Sequence, residues 1–212
     1  MSKSLKYKTE RKEVARFMRR LYRRGLTTTS GGNISMRITD EIIAISPSAT
    51  DKGLMRWKEV GLMTILGENL TPGLKPSIES AMHLSIYKRK SEITAIIHAH
   101  PIFATSFTAM KRTIKTNLTA EAKAICGDPF IVPYALMGTT ELAVLAADNI
   151  VKSDILLLEN HGILTSGTNL LEAFDKIEVL ENAAKMTLIV EFTGKKKALD
   201  RSRIVEIERL FR

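Results

Sequence analysis

The apolar positions Val14, Phe17, Met18 and Leu21 recur at helical spacing within residues 10–24, which predicts an amphipathic helix that Gly25 is placed to end. A polar stretch of small residues follows at 27–32. The runs 34–38 and 41–46 read as the two strands of a hairpin. Residues 64–73 form a turn-rich connection punctuated by Pro72-Gly73. A helix starts near Ser77 and runs through Tyr87, and 93–98 is a buried-looking strand. Pro101 opens a helix over 102–110. Then come a strand at 130–133, a helix at 139–151, strands at 154–158 and 162–165, and a long amphipathic helix from Asn169 to about Val190. From Lys195 the tail is polar and basic, with a last helical turn or two at 204–210. Strands mixed with helices in this order suggest a layered α/β domain.

Composition narrows the class. A chain of 212 residues, 44% apolar and 26% charged, can bury the core of one globular domain, and no linker divides it, so 1–212 is expected to be a single domain. The net charge of +9 favours anionic partners. Its basic residues are spread out, with local runs only at 19–24 and 195–197, so a small anion is expected rather than a nucleic acid. One cysteine, Cys126, excludes an internal disulfide; the charged N-terminus is no signal peptide, and no stretch approaches the ~20 apolar residues of a membrane span. A cytoplasmic protein is the expectation.

Candidate chemistry sits with the four histidines. His98 and His100 form His-Ala-His at the end of an apolar run, where residues i and i+2 share one face of a strand. His161 follows a second apolar run and precedes Gly162, which allows a sharp turn. Three imidazoles at strand ends suit a divalent ion such as zinc. His83 lies inside a helical stretch between Met82 and Leu84 and reads as structural or supporting.

Taken together, the segments Gly31-Gly-Asn-Ile-Ser35, Ser46-Pro-Ser48, Lys75-Pro-Ser-Ile-Glu79, His98-Ala-His-Pro101 and Glu159-Asn-His-Gly162 resemble, in order, the motifs of the class II aldolase/adducin family. Pro133-Tyr134, Gly138-Thr-Thr-Glu-Leu142 and the long helix after Gly167 extend the resemblance over most of the chain. The resemblance implies a three-layer αβα sandwich around a mostly antiparallel sheet, commonly in homotetramers with active sites between subunits. It implies a zinc ion on His98, His100 and His161, with Glu79 as acid/base and additional ligand, and a substrate phosphate held by Gly32, Asn33, Ser48 and Ser77. The implied reaction cleaves a ketose 1-phosphate to dihydroxyacetone phosphate and a small aldehyde. Cleavage beside a ketone leaves an enediolate, which a Lewis-acidic cation stabilises while a nearby carboxylate moves the proton. Glu79, near a helix start, would be kept ionised by the helix dipole, and the same helix start would offer free N–H groups to the phosphate.

Three departures bear on substrate choice. Ile78 stands where the family often has a second hydroxyl, and Ala49 where glycine is frequent. Aldolases of the family also use two tyrosines; one aligns near Thr119, and the tail after Lys195 has none. Glu121 is a candidate substitute acid. The same metal site serves epimerases, dehydratases and decarboxylases, and adducin-like relatives are interaction modules without catalysis. Imidazole and carboxylate ligands also suit manganese, iron or cobalt.

Overall fold

The computed structural model describes residues 6–110, 112–194 and 197–211, so part of the basic run at 195–197 lies outside the described residues. A single seven-stranded sheet carries the architecture, in the order β3-β2-β1-β4-β7-β6-β5. The strands are β1 (Asn33–Arg37), β2 (Ile42–Ile45), β3 (Gly61–Thr64), β4 (Ala95–Ala99), β5 (Phe130–Val132), β6 (Ile155–Leu158) and β7 (Gly162–Gly167). Every pairing is antiparallel except β5 with β6.

The helices are α1 (Lys8–Arg23), α2 (Ser80–Arg89), α3 (Ile102–Met110), α4 (Ala120–Cys126), α5 (Thr140–Asn149), α6 (Leu170–Thr193) and α7 (Arg201–Phe211). Because side chains alternate across a strand, the sheet feeds a core on each face. Ile96, Leu156 and Leu164 point into the core under α2 and α5. Ala95, Ile97 and Ala99 point the other way, against Phe17 and Leu21 of α1 and Phe174 and Ile177 of α6. Farther along α6, Leu180 and Ala184 join Ile155, Leu157 and Ile163 over α3 and α4. The result is a three-layer αβα sandwich around a mostly antiparallel sheet.

Local chemistry sets the boundaries. Gly25 takes φ 68 just after α1, the left-handed conformation in which many helices stop. Side chains of Thr139 and Asn169 cap α5 and α6 by accepting from Leu142 N and Glu172 N. The basic run at 19–24 is partly spent on packing, since Arg20 and Arg24 both pair with Glu178 of α6. Several expectations need correction. The helix expected from Ser77 begins at Ser80, with Glu79 as its N-cap. The turn-rich stretch is preceded by β3, and α4 and the eleven-residue α7 exceed what the pattern predicts.

Candidate active site

The sheet delivers the histidines to one place. His98 is the fourth residue of β4 and pairs across the ladders with Asn33 on β1 and Leu164 on β7. His100 lies just beyond the strand end, its amide bonded to Leu26 O at 3.1 Å. His161 closes the turn between β6 and β7, where Asn160 takes φ 53, a left-handed value that asparagine tolerates. The ring centroids of His98 lie 4.7 Å from those of both His100 and His161. One nitrogen from each of the three falls within 4.8 Å of the others. Gly162 makes this closeness possible: a Cβ there would sit 2.5 Å from His100 Cδ2 and 2.8 Å from Ala99 O. Gly32 has φ 67 and would push a Cβ to 2.7 Å from His98 O, so this glycine also lets β1 lie against β4.

The protons in the cluster can be assigned. His98 Nδ1 lies 3.0 Å from the carbonyl of Ile163, an acceptor, so Nδ1 carries the hydrogen and Nε2 keeps its lone pair. Burial pushes the His98 pKa down to about 3, and it also lowers that of His100, so His98 is neutral at pH 7. The bare Nε2 faces Glu79 Oε2 at 3.4 Å, and Glu79 Oε1 faces His161 Nε2 at 3.2 Å. Burial alone would raise the Glu79 pKa. The imidazoles and the Asn33 amide outweigh it, and the carboxyl is held well below the usual carboxylate range. Even so, Glu79 Oε1, His98 Nε2 and His161 Nδ1 are buried without a hydrogen-bond partner. Lone pairs and a negative charge are thus gathered in one buried spot with too few donors among them. A divalent cation fits that donor set; a network of neutral hydrogen bonds does not.

Glu79 is also oriented from behind. Its Oε2 accepts from Asn33 Nδ2 at 2.8 Å. That fixes Asn33 Oδ1 toward His83 Nε2, 2.5 Å away, which must therefore donate. His83 Nδ1 is left to accept from Ser35 Oγ at 2.7 Å, and Ser35 Oγ in turn accepts from Tyr87 OH at 2.8 Å. Burial pushes His83 down to about 4, consistent with this neutral tautomer. His83 therefore supports the carboxylate through Asn33. Its position on a helix was legible in the sequence, but its partners on β1 were not.

A cavity of about 660 Å³ opens beside the cluster, lined among others by Gly32, Asn33, Ser48, Ser77, Glu79 and Lys52. The helix-start amides expected to face a phosphate are already engaged. Ile78 N donates to Ser48 Oγ at 3.0 Å, Glu79 N to Ser77 Oγ at 3.2 Å, and Ser80 N to Ser77 O at 3.1 Å. Each serine oxygen accepts an amide hydrogen, which leaves its own hydroxyl hydrogen to donate into the cavity. One Asn33 amide hydrogen is committed to Glu79 and the other is left for a ligand. Ile78 is exposed at the rim, and Ala49 takes φ 51, the conformation for which glycine would be the easy choice. Glu121 does not line this cavity; it lies in the first turn of α4, which packs on α6 and α7. Lys52 went unnoticed in the sequence, because nothing in a loop lysine signals burial.

Comparison with known proteins places this arrangement in a class. The chain belongs to the family of the class II aldolase and adducin N-terminal domain, whose model matches residues 12–188. Within it, the chain is 33% identical to an L-fuculose phosphate aldolase of Methanocaldococcus jannaschii over 85% of this chain and 96% of that protein. It is 30% identical to a 3-oxo-tetronate 4-phosphate decarboxylase of Haemophilus influenzae, over 79% of this chain and 81% of that one. A solved L-fuculose 1-phosphate aldolase superposes with a TM-score of 0.89 at 30% identity, covering 100% of this chain and 99% of the other. Class II aldolases depend on a metal, and the three histidines form a group able to hold one.

Proposed function

We propose that this protein is a zinc-dependent aldolase that reversibly cleaves a ketose 1-phosphate, such as fuculose 1-phosphate, into dihydroxyacetone phosphate and a small aldehyde. The observation that carries the reading is the bare His98 Nε2 facing an ionised Glu79 within the histidine cluster, beside a cavity lined by serine hydroxyls. His98, His100, His161 and Glu79 would hold the ion. A zinc ion there would supply Lewis acidity toward the negative charge that carbon–carbon cleavage leaves behind. Glu79, held ionised and aimed by Asn33, takes up the proton that the substrate hydroxyl loses as the carbon–carbon bond breaks and the aldehyde forms, and returns it to the carbanionic carbon, which becomes dihydroxyacetone phosphate. Gly32, Asn33, Ser48 and Ser77, which line the same cavity, seat the phosphate. Exposed Ile102, Ile189 and Phe192 on α3 and α6 support self-association into the expected homotetramer.

Decarboxylation on the same site is a second reading, favoured by the similarity to the Haemophilus decarboxylase. The products decide between them: a ketose 1-phosphate panel should yield dihydroxyacetone phosphate, and a 3-oxo acid phosphate should yield carbon dioxide. Glu79→Gln should leave the protein folded and lower cleavage by roughly 10²–10⁴-fold. Near-normal turnover in that variant refutes the proton role. A purified protein that neither carries nor takes up a divalent metal would favour an interaction module instead.

A further inference from the structure

Lys52 is 1% exposed and ranks with Phe17 and Phe107 among the largest fully buried side chains. A buried ammonium normally has an anionic partner. Elsewhere in the described residues this holds: Lys176 pairs with Asp154 and Glu172, and Lys123 with Asp128 and Glu208. Among those residues Lys52 has a single partner, the carbonyl of Pro47 at 2.5 Å. The adjacent carboxylate, Asp51, is exposed and turned to the amides of Gly53 and Leu54. Burial accordingly pushes Lys52 down to about 8.

The loop around Lys52 is built rather than slack. Lys52 N donates to Thr29 O at 2.8 Å and Ser48 N to Lys75 O at 3.2 Å, while Pro47 bridges to Pro76. Lys52, Pro47, Ser48 and Ser77 line the same cavity. The ammonium has donors to spare and shares the cavity wall with two serine hydroxyls with free hydrogens, where Ile78 withholds a third hydroxyl.

We infer that Lys52, which lines the cavity together with Ser48 and Ser77, is the cation that binds the substrate's phosphate, and that the phosphate is the anionic partner this buried lysine otherwise lacks among the described residues. The inference rests on the proposed reading of the cavity as a phosphate site. Net attraction by a buried, dry cation is stronger than by a solvated one, so Lys52 dominates over exposed Lys75 at the same rim.

Inorganic phosphate and dihydroxyacetone phosphate are titrated by calorimetry into the metal-loaded full-length protein and into Lys52→Met, Lys52→Arg and Lys75→Met. Lys52→Met should lose roughly ten- to a hundredfold in affinity for both, the share of one charge-assisted hydrogen bond. Its metal content should be unchanged, and its melting temperature without ligand equal or higher. Lys52→Arg should recover part of the loss, and Lys75→Met should change affinity little. The wild-type protein gives a measurement free of mutation: the Lys52 Cε resonance should move as phosphate saturates the site. An unmoved resonance, undiminished affinity in Lys52→Met, or a loss confined to Lys75→Met overturns the inference. Phosphate binding without cleavage of any ketose 1-phosphate would defeat the proposed reaction and leave Lys52 standing. Cleavage with intact phosphate affinity in Lys52→Met would defeat Lys52 alone.

Discussion

A methyl group placed on Gly162 tests whether the histidines are held at their separations by backbone close approach. The added Cβ would lie 2.5 Å from His100 Cδ2, 2.8 Å from Ala99 O and 3.1 Å from His98 Cε1. The φ of Gly162 is one that alanine adopts, and alanine is normally the better strand residue by about 0.5–1 kcal/mol. Without the clash, then, Gly162→Ala would be neutral or stabilising. With it, the carbonyl of Ala99 cannot yield without disturbing β4, so the strain falls on His100 and on the β4–β7 ladder. Overpacking of this kind costs about 1–3 kcal/mol, a fall of several degrees in melting temperature for a domain of this size. Moving one imidazole also spoils convergence, for which a loss of about 10–100-fold in metal affinity is the expected scale. Denaturation of the metal-free protein reads the first quantity, and competition with a chromogenic chelator reads the second. A variant with wild-type stability and wild-type metal affinity would refute the argument that this glycine sets the spacing.

Ala49→Gly should stabilise the loop after β2 by up to about 1 kcal/mol, because a left-handed φ penalises the alanine Cβ; a lower melting temperature in the variant would contradict this. His83 gives a pH dependence. Its proton binds near 6.5 in the unfolded chain and near 4 in the fold, so between those values the unfolded state holds more protons. Stability therefore rises with pH across that window and is lost as pH falls through it, by at most about 3 kcal/mol. In the metal-free protein, His83→Gln should flatten that slope relative to wild type, and an unchanged slope would exclude His83 as its source.

The long elements and the histidine pair were legible because each leaves a periodic or local mark. The helical stripe of Val14, Phe17, Met18 and Leu21 is the buried face of α1, and the run before His98 is the fully buried β4. Four-residue β3 has no period long enough to read, and it exists because Ile42–Ile45 offers an edge to pair with. Helix α4 is only seven residues, although its Thr119 cap, accepting from Ala122 N, is a signal that could have been used. Asn33 was visible as a loop-end polar residue, but its role behind Glu79 depends on a register, Asn33 opposite His98, that only strand pairing sets. Lys52 and the engaged amides of Ile78 and Glu79 are likewise tertiary facts, because they depend on how two distant loops meet.

The polarity of the chain from Tyr87 through Ser35, His83 and Asn33 to Glu79 has a consequence for how the protein meets a ligand. The links behind Asn33 fix which way its amide faces, so the carboxylate cannot swivel without giving up the Asn33 hydrogen bond that is aimed at it. The cost of aiming that charge is met when the chain folds rather than when a ligand arrives. Ions and substrates of differing shape should therefore encounter the same rigid carboxylate, leaving adaptation to the exposed rim around Ile78 and Met137.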